Sequence, residues 1–254
     1  MMAEEETMQK SEWNGYTKLD FVFEEHKACL VFPKDEVKTN RWALKTEYFE
    51  AFNDTAFMLL ERGYHFAYIQ NDNRWGQRED LERKKRFADY LHTQFGLARK
   101  CVPIGFSCGG LFAIKFAALY PETVSVLYLD APVVELLSML GLGRGGEEGS
   151  VHLRVFRGEI LGVFGATIAD MLSYRDHPLD HLQTLIKQKI PTALVYGGVD
   201  TVVYHEENCD LLIRAFEKTD VPFLCICKPE CDHHPHGLSD PTPVVEFILA
   251  HDKD

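Results

Sequence analysis

Residues 101–111 read CVPIGFSCGGL, and they predict a buried strand, a tight turn at Ser107 and the start of a helix. The strand is expected over Cys101–Ile104. The helix is expected over Leu111–Leu119, which is apolar almost all round and therefore buried beneath a sheet. Strand and helix patterns alternate along most of the chain, which predicts the α/β class: a mostly parallel central sheet with helices on both faces. Further strands are expected over Tyr16–Phe23, Ala28–Phe32, Tyr64–Ile69, Val124–Leu129, Thr192–Tyr196 and Phe223–Cys227. Further helices are expected over Tyr48–Leu60, Glu79–Phe95, Asp180–Lys189, Glu206–Lys218 and Thr242–Ala250.

The glycines on either side of Ser107 suit a strained turn from a strand into a helix. In such a turn only small neighbours fit, and the serine hydroxyl projects at the carboxyl end of the sheet. The backbone N–H of Cys108 then faces the position where an oxyanion would form. The same residues also fit a glycine-rich turn with an idle serine, so the rest of the chain has to decide. A phosphate site is less well supported, because no Gly-Lys-Ser/Thr follows.

A nucleophilic serine needs a histidine as base and a carboxylate that orients it, and in this architecture the chain order is serine, acid, histidine. Asp200 follows a predicted strand within GGVDTVVYHEEN, and three histidines follow the last strand within KPECDHHPHGLSDP. Both segments therefore lie where the acid and the base belong. We predict that Asp200 is the acid and that His233, the first histidine after the strand, is the base.

Other residues of these segments are expected to border the same site. His234 and His236 are predicted to support the loop, with His234 also beside the substrate. Asp130, which ends VLYLD, is an alternative acid, but substrate binding or support of the following segment suits it better. Phe106, directly before the serine, is predicted to contact the substrate.

The C-terminal loop also contains residue types that bind metals. They are Cys225, Cys227, Cys231, His233, His234 and His236. The first two cysteines alternate with apolar residues in a predicted strand, and no second Cys-x-x-Cys pair completes a tetrahedral site. We therefore predict neither a metal nor another cofactor.

The composition predicts a globular protein that binds neither nucleic acid nor membranes. Of 254 residues, 46% are hydrophobic, and the net charge is −12, whereas a nucleic-acid binder needs a basic surface.

The seven cysteines are an odd number, and several lie in apolar runs, which favours buried reduced thiols. The start MMAEEETMQK lacks the features of a signal peptide, and no apolar stretch approaches the ~20 residues that span a bilayer. These features favour a cytoplasmic location; no oligomeric state is predicted.

The chain is predicted to be one domain over residues 16–254, preceded by a loose acidic arm over residues 1–15. Residues 132–179 look like an insertion that forms a small lid, with GLGRGGEEGS as its hinge or tip. Its apolar residues, including Phe156 and Phe164, are expected to cover the pocket and line an acyl site. The alternative is that they only extend the core.

Four segments together carry a family resemblance: GFSCGG, DAPV, GGVDTVVYHEEN and HHPHGLSDPTPVVEFI. From about Thr17 to the C-terminus, the chain resembles the α/β-hydrolase superfamily. More narrowly, it resembles bacterial esterase-like members, some associated with polysaccharide breakdown, that carry Gly-Phe-Ser-Arg-Gly-Gly and Gly-His-His-Pro-His. The resemblance implies that Ser107 is the nucleophile, His233 the base and Asp200 the acid.

The resemblance also implies that Arg41 and Trp42, after the second predicted strand, supply the second oxyanion N–H and a pocket wall. The chain departs from the pattern at Cys108, where relatives often have arginine, and at Asp232, where they often have glycine. The expected function is hydrolysis of a carboxylic ester of a small or carbohydrate-linked substrate through an acyl-enzyme. Thioester or amide hydrolysis by the same triad and a non-catalytic binding protein are the alternatives.

Overall fold

The computed structural model describes residues 8–143 and 151–253, which form a nine-stranded sheet covered by helices. The strands are β1 (Gln9–Trp13), β2 (Tyr16–Phe23), β3 (His26–Val31), β4 (Trp42–Lys45), β5 (His65–Ile69), β6 (Val102–Phe106), β7 (Leu127–Asp130), β8 (Thr192–Gly197) and β9 (Phe223–Lys228). The helices are α1 (Asp54–Glu61), α2 (Arg78–Phe95), α3 (Cys108–Leu119), α4 (Leu136–Met139), α5 (Val151–Phe164), α6 (Ile168–Ser173), α7 (Leu182–Lys187), α8 (Cys209–Phe216) and α9 (Thr242–His251).

The strand order is β1-β2-β3-β5-β4-β6-β7-β8-β9. The first three strands are antiparallel to their neighbours, and β3 pairs antiparallel with β5. From β5 onward every pairing is parallel, so the carboxyl ends of β4 to β9 lie at one edge of the sheet. The loops that follow these strands therefore converge, and functional residues of parallel sheets are found at such an edge.

Hydrophobic clusters lie on both faces of the sheet, as the sequence predicts. Buried side chains of α2, α3, α7 and α8 form one cluster, and those of α1 and α9 form the other. A third cluster joins Trp75 and the start of α3 to helices of the insertion, including Ile160 and Met171. The insertion thus has a core of its own against α3.

The amino-terminal segment differs from its prediction. Residues 9–13 are not a loose arm but form β1, which pairs with β2 and buries Trp13 against Phe49. Strand β4 is only four residues long and shows no periodicity, so the sequence pattern did not reveal it. Helix α1 begins at Asp54 rather than near Tyr48, because Tyr48 and Phe52 have positive φ values of 56° and 54°, which a right-handed helix does not allow.

The cysteines are all free, but not all are buried. Cys225 and Cys227 are exposed, because β9 is the last strand of the sheet and none of the described residues pairs with its outer side. Within residues 8–143 and 151–253, no helix combines the length and the apolar character needed to cross a bilayer. Most of the segment GLGRGGEEGS, expected to be the hinge or tip of the lid, lies outside the described residues.

Candidate active site

Ser107 occupies a strained turn between β6 and α3. Its φ is 53° and its ψ −120°, a combination that a non-glycine residue seldom adopts. The backbone packs so closely that a Cβ on Gly105 would lie 2.5 Å from the carbonyl oxygen of Gly109. A Cβ on Gly110 would lie 2.3 Å from Cβ of Pro132. Gly105 and Gly110 are therefore required by close packing.

The structure brings Ser107, His233 and Asp200 into one hydrogen-bonded chain. Nε2 of His233 lies 3.0 Å from Oγ of Ser107, and Nδ1 lies 2.8 Å from Oδ2 of Asp200. Both His233 and Asp200 are buried. With the Nδ1–H donated to the carboxylate, Nε2 accepts from the serine hydroxyl, which is the arrangement that activates a serine nucleophile.

Two loops fix the side chains of Asp200 and His233. Oδ1 of Asp200 accepts from the N–H groups of Val202 and Val203 at 2.9 and 2.8 Å, which turns Oδ2 towards His233. Asp232 joins the loops: its Oδ1 accepts from the N–H of Thr201 and from that of His233, both at 2.7 Å. The aspartate that departs from the family pattern therefore holds the His233 loop against the Asp200 loop.

Asp130 does not contact His233; it pairs with a second histidine. Its Oδ1 lies 2.6 Å from Nδ1 of His236, and its Oδ2 accepts from the N–H of Gly237 at 2.8 Å. Burial lowers the pKa of His236, which favours a neutral ring. The rings of His236 and His233 are 4.7 Å apart, so a second Asp–His pair lies directly beside the first.

The two residues predicted to supply the oxyanion N–H groups lie in different places. Cys108 is the first residue of α3 and lines the cavity with Ser107, so its N–H stays the predicted oxyanion donor. Its thiol is buried, and burial raises the pKa of that thiol to about 11, so the side chain is no competing nucleophile.

Arg41 and Trp42 lie at the opposite edge of the sheet, and their assignment is corrected. Trp42 begins β4, and its indole N–H donates to the carbonyl of Ala98 at 2.9 Å. Arg41 forms an ion pair with Asp252 at 3.0 Å. The segment that follows β4 lies at the site instead, because the carboxyl ends of the parallel strands meet at this edge of the sheet.

The segment after β4 packs directly on the serine turn. The hydroxyl of Thr46 donates to the carbonyl of Gly109 at 2.7 Å, and the side-chain amide of Asn71 donates to the carbonyl of Thr46 at 2.9 Å. Tyr48 borders the serine, and burial raises the pKa of its phenol, which keeps the hydroxyl protonated. The roles of Thr46 and Tyr48 had no signal in the sequence because β4, which precedes them, had none.

A cavity of about 560 Å³ opens onto Ser107. Helix α5 supplies one wall, with His152, Val155 and Phe156. Phe164 does not line this cavity; its ring packs 5.3 Å from that of Tyr174 within the insertion. The remaining lining residues are Tyr48, Ala51, Phe52, Arg74, Phe106, Cys108, Val202, His233, His234 and His236.

Arg74 is the cationic residue of the cavity wall, and no sequence pattern marks it. Its guanidinium forms two hydrogen bonds to Glu159 of α5, at 2.8 and 2.6 Å, and lies over the ring of Phe156. Glu159 also accepts from the indole N–H of Trp75 at 3.0 Å. The position of Arg74 could have predicted its place at the site. It follows β5 closely, and β5 ends at the same edge of the sheet as the strands that precede the other site residues.

One group of side chains among the described residues is close enough to bind a metal. One ring nitrogen from each of His233, His234 and His236 lies within 4.8 Å of the others. Cys225, Cys227 and Cys231 are not part of this group.

Comparison with solved structures identifies the architecture. Dipeptidyl peptidase 4 from Porphyromonas gingivalis superposes with a TM-score of 0.66 at 16% identity, over 97% of this chain and 35% of that chain. A puromycin hydrolase superposes with a TM-score of 0.63 at 17% identity, over 97% of this chain and 38% of that one. Est1E from Butyrivibrio proteoclasticus superposes with a TM-score of 0.61 at 16% identity, over 96% of this chain and 98% of that one.

The chain has the α/β-hydrolase fold. It spans little more than a third of the two longer enzymes, and at these identities the similarity shows the fold alone. No protein-family model matches the chain, and no curated protein matches it. In this fold Ser107 lies at the turn between strand and helix where the nucleophile belongs, so the function has to be argued from the site itself.

Proposed function

We propose that the protein is a serine hydrolase that cleaves a carboxylic ester of a small or carbohydrate-linked substrate through an acyl-enzyme. The observation that carries the proposal is the hydrogen-bonded chain from Asp200 through His233 to Ser107. The serine in this chain has a strained backbone and borders a cavity of about 560 Å³. An idle serine in a glycine-rich turn requires neither the strain nor the buried Asp–His pair.

The reaction follows from these contacts. Nε2 of His233 takes the hydroxyl proton of Ser107 as Oγ attacks the substrate carbonyl, and Asp200 stabilises the resulting imidazolium. The N–H of Cys108 donates to the oxyanion of the tetrahedral intermediate. His233 then protonates the departing alcohol. A water molecule, deprotonated by the same nitrogen, hydrolyses the acyl-enzyme and restores Ser107.

The lining of the cavity supports an acyl ester as substrate. Phe52, Phe106, Val155 and Phe156 give it apolar walls suited to an acyl chain, and Arg74 and the histidines give it polar groups. Est1E, an esterase, also matches this chain over nearly its whole length, whereas the peptidase-like neighbours are much longer chains. Thioester or amide cleavage uses the same machinery and is the second candidate.

A fluorophosphonate probe tests the nucleophile, because only an activated serine reacts with it. We expect labelling at Ser107, and Ser107→Ala should abolish both labelling and p-nitrophenyl acetate hydrolysis, by about 10³-fold or more in kcat. Circular dichroism and the melting temperature of the variant check that it folds. An unlabelled wild-type protein would favour the non-catalytic alternative.

A panel of substrates tests the bond that is cleaved. It compares oxygen esters, thioesters and anilides with the same acyl group, and then varies the acyl group from acetyl to octanoyl and feruloyl. We expect the highest kcat/KM for an oxygen ester. A preference for the anilide or the thioester would replace the ester assignment while leaving the nucleophile unchanged.

A further inference from the structure

The three histidines of the C-terminal loop have arrangements that the proposed hydrolysis does not explain. His233, His234 and His236 each bring a ring nitrogen to within 4.8 Å of the other two. Hydrolysis needs His233 alone, yet His236 is buried beside it and His234 stacks on Phe52 at the cavity wall. Three imidazoles this close together are a ligand set suited to Zn²⁺.

The carboxylates behind two of these rings strengthen that interpretation. Nδ1 of His233 is bonded to Asp200 and Nδ1 of His236 to Asp130, at 2.8 and 2.6 Å. Among the described residues, Nε2 of His236 makes no hydrogen bond, and Nε2 of His233 bonds only to the hydroxyl of Ser107. Metal-ligating histidines typically donate their other ring N–H to a carboxylate, which orients the ring and fixes the tautomer. Both outer carboxylates are therefore already in place.

We propose that His233, His234 and His236 form a site for Zn²⁺ that switches the catalytic serine off. Around a tetrahedral zinc with Zn–N bonds of about 2.1 Å, ligand nitrogens lie about 3.4 Å apart. The rings therefore have to close by somewhat more than an ångström. His234 is the least constrained of the three rings, because it is exposed and no hydrogen bond to its ring is present among the described residues.

The consequence for activity follows from the shared nitrogen. Nε2 of His233 has one lone pair, which either accepts the Ser107 proton or binds the metal. A bound Zn²⁺ would therefore remove the base, and it would occupy the polar end of the cavity beside Ser107. The expected effect is reversible inhibition that a chelator relieves. This part of the inference rests on the proposed hydrolase function, whereas metal binding itself does not.

Calorimetric titration of the metal-free protein with ZnCl₂ tests the binding. We expect one Zn²⁺ per chain, and Ser107→Ala should still bind it, because the three ligands remain. His236→Ala and His234→Ala should each weaken binding by at least about 10-fold, and Asp130→Asn, which changes only an outer carboxylate, by about 10-fold. His26→Ala, at the β2–β3 turn, is the matched control and should bind as wild type. Binding that is absent, or unchanged in the His234 and His236 variants, would overturn the site.

Inhibition is measured with p-nitrophenyl acetate, each variant being compared with its own metal-free rate. Zn²⁺ should inhibit the wild type, EDTA should restore it, and the half-inhibiting concentration should rise at least about 10-fold in His234→Ala. The double variant Cys225→Ser/Cys227→Ser, which removes two exposed thiols, should remain as sensitive as the wild type. Loss of inhibition in that variant would assign the effect to the thiols. A wild type that no fluorophosphonate labels would refute the hydrolase function instead, and calorimetry would still decide the metal site.

Discussion

At the scale of single residues, the site contains two buried aspartates that each hold the Nδ1 side of a histidine. Asp200 is bonded to His233, which contacts Ser107, and Asp130 is bonded to His236, which does not. Each pair consists of a carboxylate and an imidazole, and the pairs differ in what the Nε2 side of the imidazole contacts. Their variants therefore separate a role in the reaction from a role in holding the loop.

Replacing each histidine tests the assignment of the base. His233→Ala should lower kcat to nearly the level of Ser107→Ala, because proton transfer and nucleophile activation act as a unit. His234→Ala and His236→Ala should cost less, because their rings border the cavity without contacting the serine hydroxyl. Steady-state kinetics with p-nitrophenyl acetate measures the difference. An inactive His234→Ala together with an active His233→Ala would move the base by one position.

Asp200→Asn and Asp130→Asn form a matched pair of carboxylate variants. Asp200→Asn should lower kcat by roughly 10³–10⁴-fold, because the amide favours the wrong tautomer of His233. Asp130→Asn should lower kcat much less and should act mainly on KM, through the position of His236 at the cavity wall. Comparable losses of kcat in the two variants would contradict the separation of the two pairs.

At the scale of elements, helix α5 combines two functions. One side carries Phe156 and Val155 to the cavity, whereas Ile160 is buried in the cluster that joins the insertion to α3. The bidentate contact between Arg74 and Glu159 fixes the helix to the segment after β5. Covering the pocket and extending the core were alternative predictions for residues 132–179, and α5 both lines the cavity and buries Ile160.

Phe156→Ala and Phe164→Ala test this division, because one ring lines the cavity and the other packs on Tyr174. Phe156→Ala enlarges the acyl site and should raise the ratio of kcat/KM for octanoyl over acetyl esters by about 10-fold. Phe164→Ala should leave that ratio near the wild-type value and lower the melting temperature. Equal shifts of the acyl preference in both variants would show that the two rings of the insertion do not have separate roles.

At the scale of the whole molecule, burial of charge links stability to pH. Lys45 lies at the carboxyl end of β4, and its ammonium donates to the carbonyl of Ala51 and lies 3.7 Å from the ring centre of Phe106. Burial lowers the pKa of Lys45 from 10.5 to about 7, although Asp130 nearby acts in the opposite direction. Lys115 is also buried, but it forms an ion pair with Asp176 at 2.7 Å.

Lys45→Met should therefore change the pH dependence of stability. Between pH 7 and 10.5 the unfolded chain binds more protons at Lys45 than the folded chain does, so this lysine destabilises the fold increasingly as the pH falls. The free energy of unfolding of Lys45→Met, relative to wild type, should be higher at about pH 6 than at about pH 10, by on the order of a few kcal/mol. Urea denaturation at both values measures the difference.

Lys115→Met is the control for this experiment. It leaves the partner carboxylate of Asp176 without its ammonium and should destabilise the protein at neutral pH. A Lys45→Met variant with the same relative stability at both pH values would show that Lys45 stays protonated in the fold.

The sequence by itself determined the features that depend on local chemistry. Alternating apolar patterns gave the α/β class, and the close approach of Gly105 and Gly109 shows why the glycines around Ser107 signal a sharp turn. The order of Ser107, Asp200 and His233 could be predicted because each follows the end of a parallel strand, and such ends share one edge. For groups that meet because both lie at that edge, the order of the segments along the chain was enough to predict the contact.

The tertiary structure decided every feature that depends on which elements become neighbours. Strand β4 lies between β5 and β6, so it delivers Tyr48 to the site and leaves Trp42 at the far edge. The pairing of Asp130 with His236, and the contact of Arg74 with Glu159, join segments far apart in the chain. Neither has a periodic signal, because a hydrogen bond across space depends on strand order and loop path, and the local sequence pattern specifies neither.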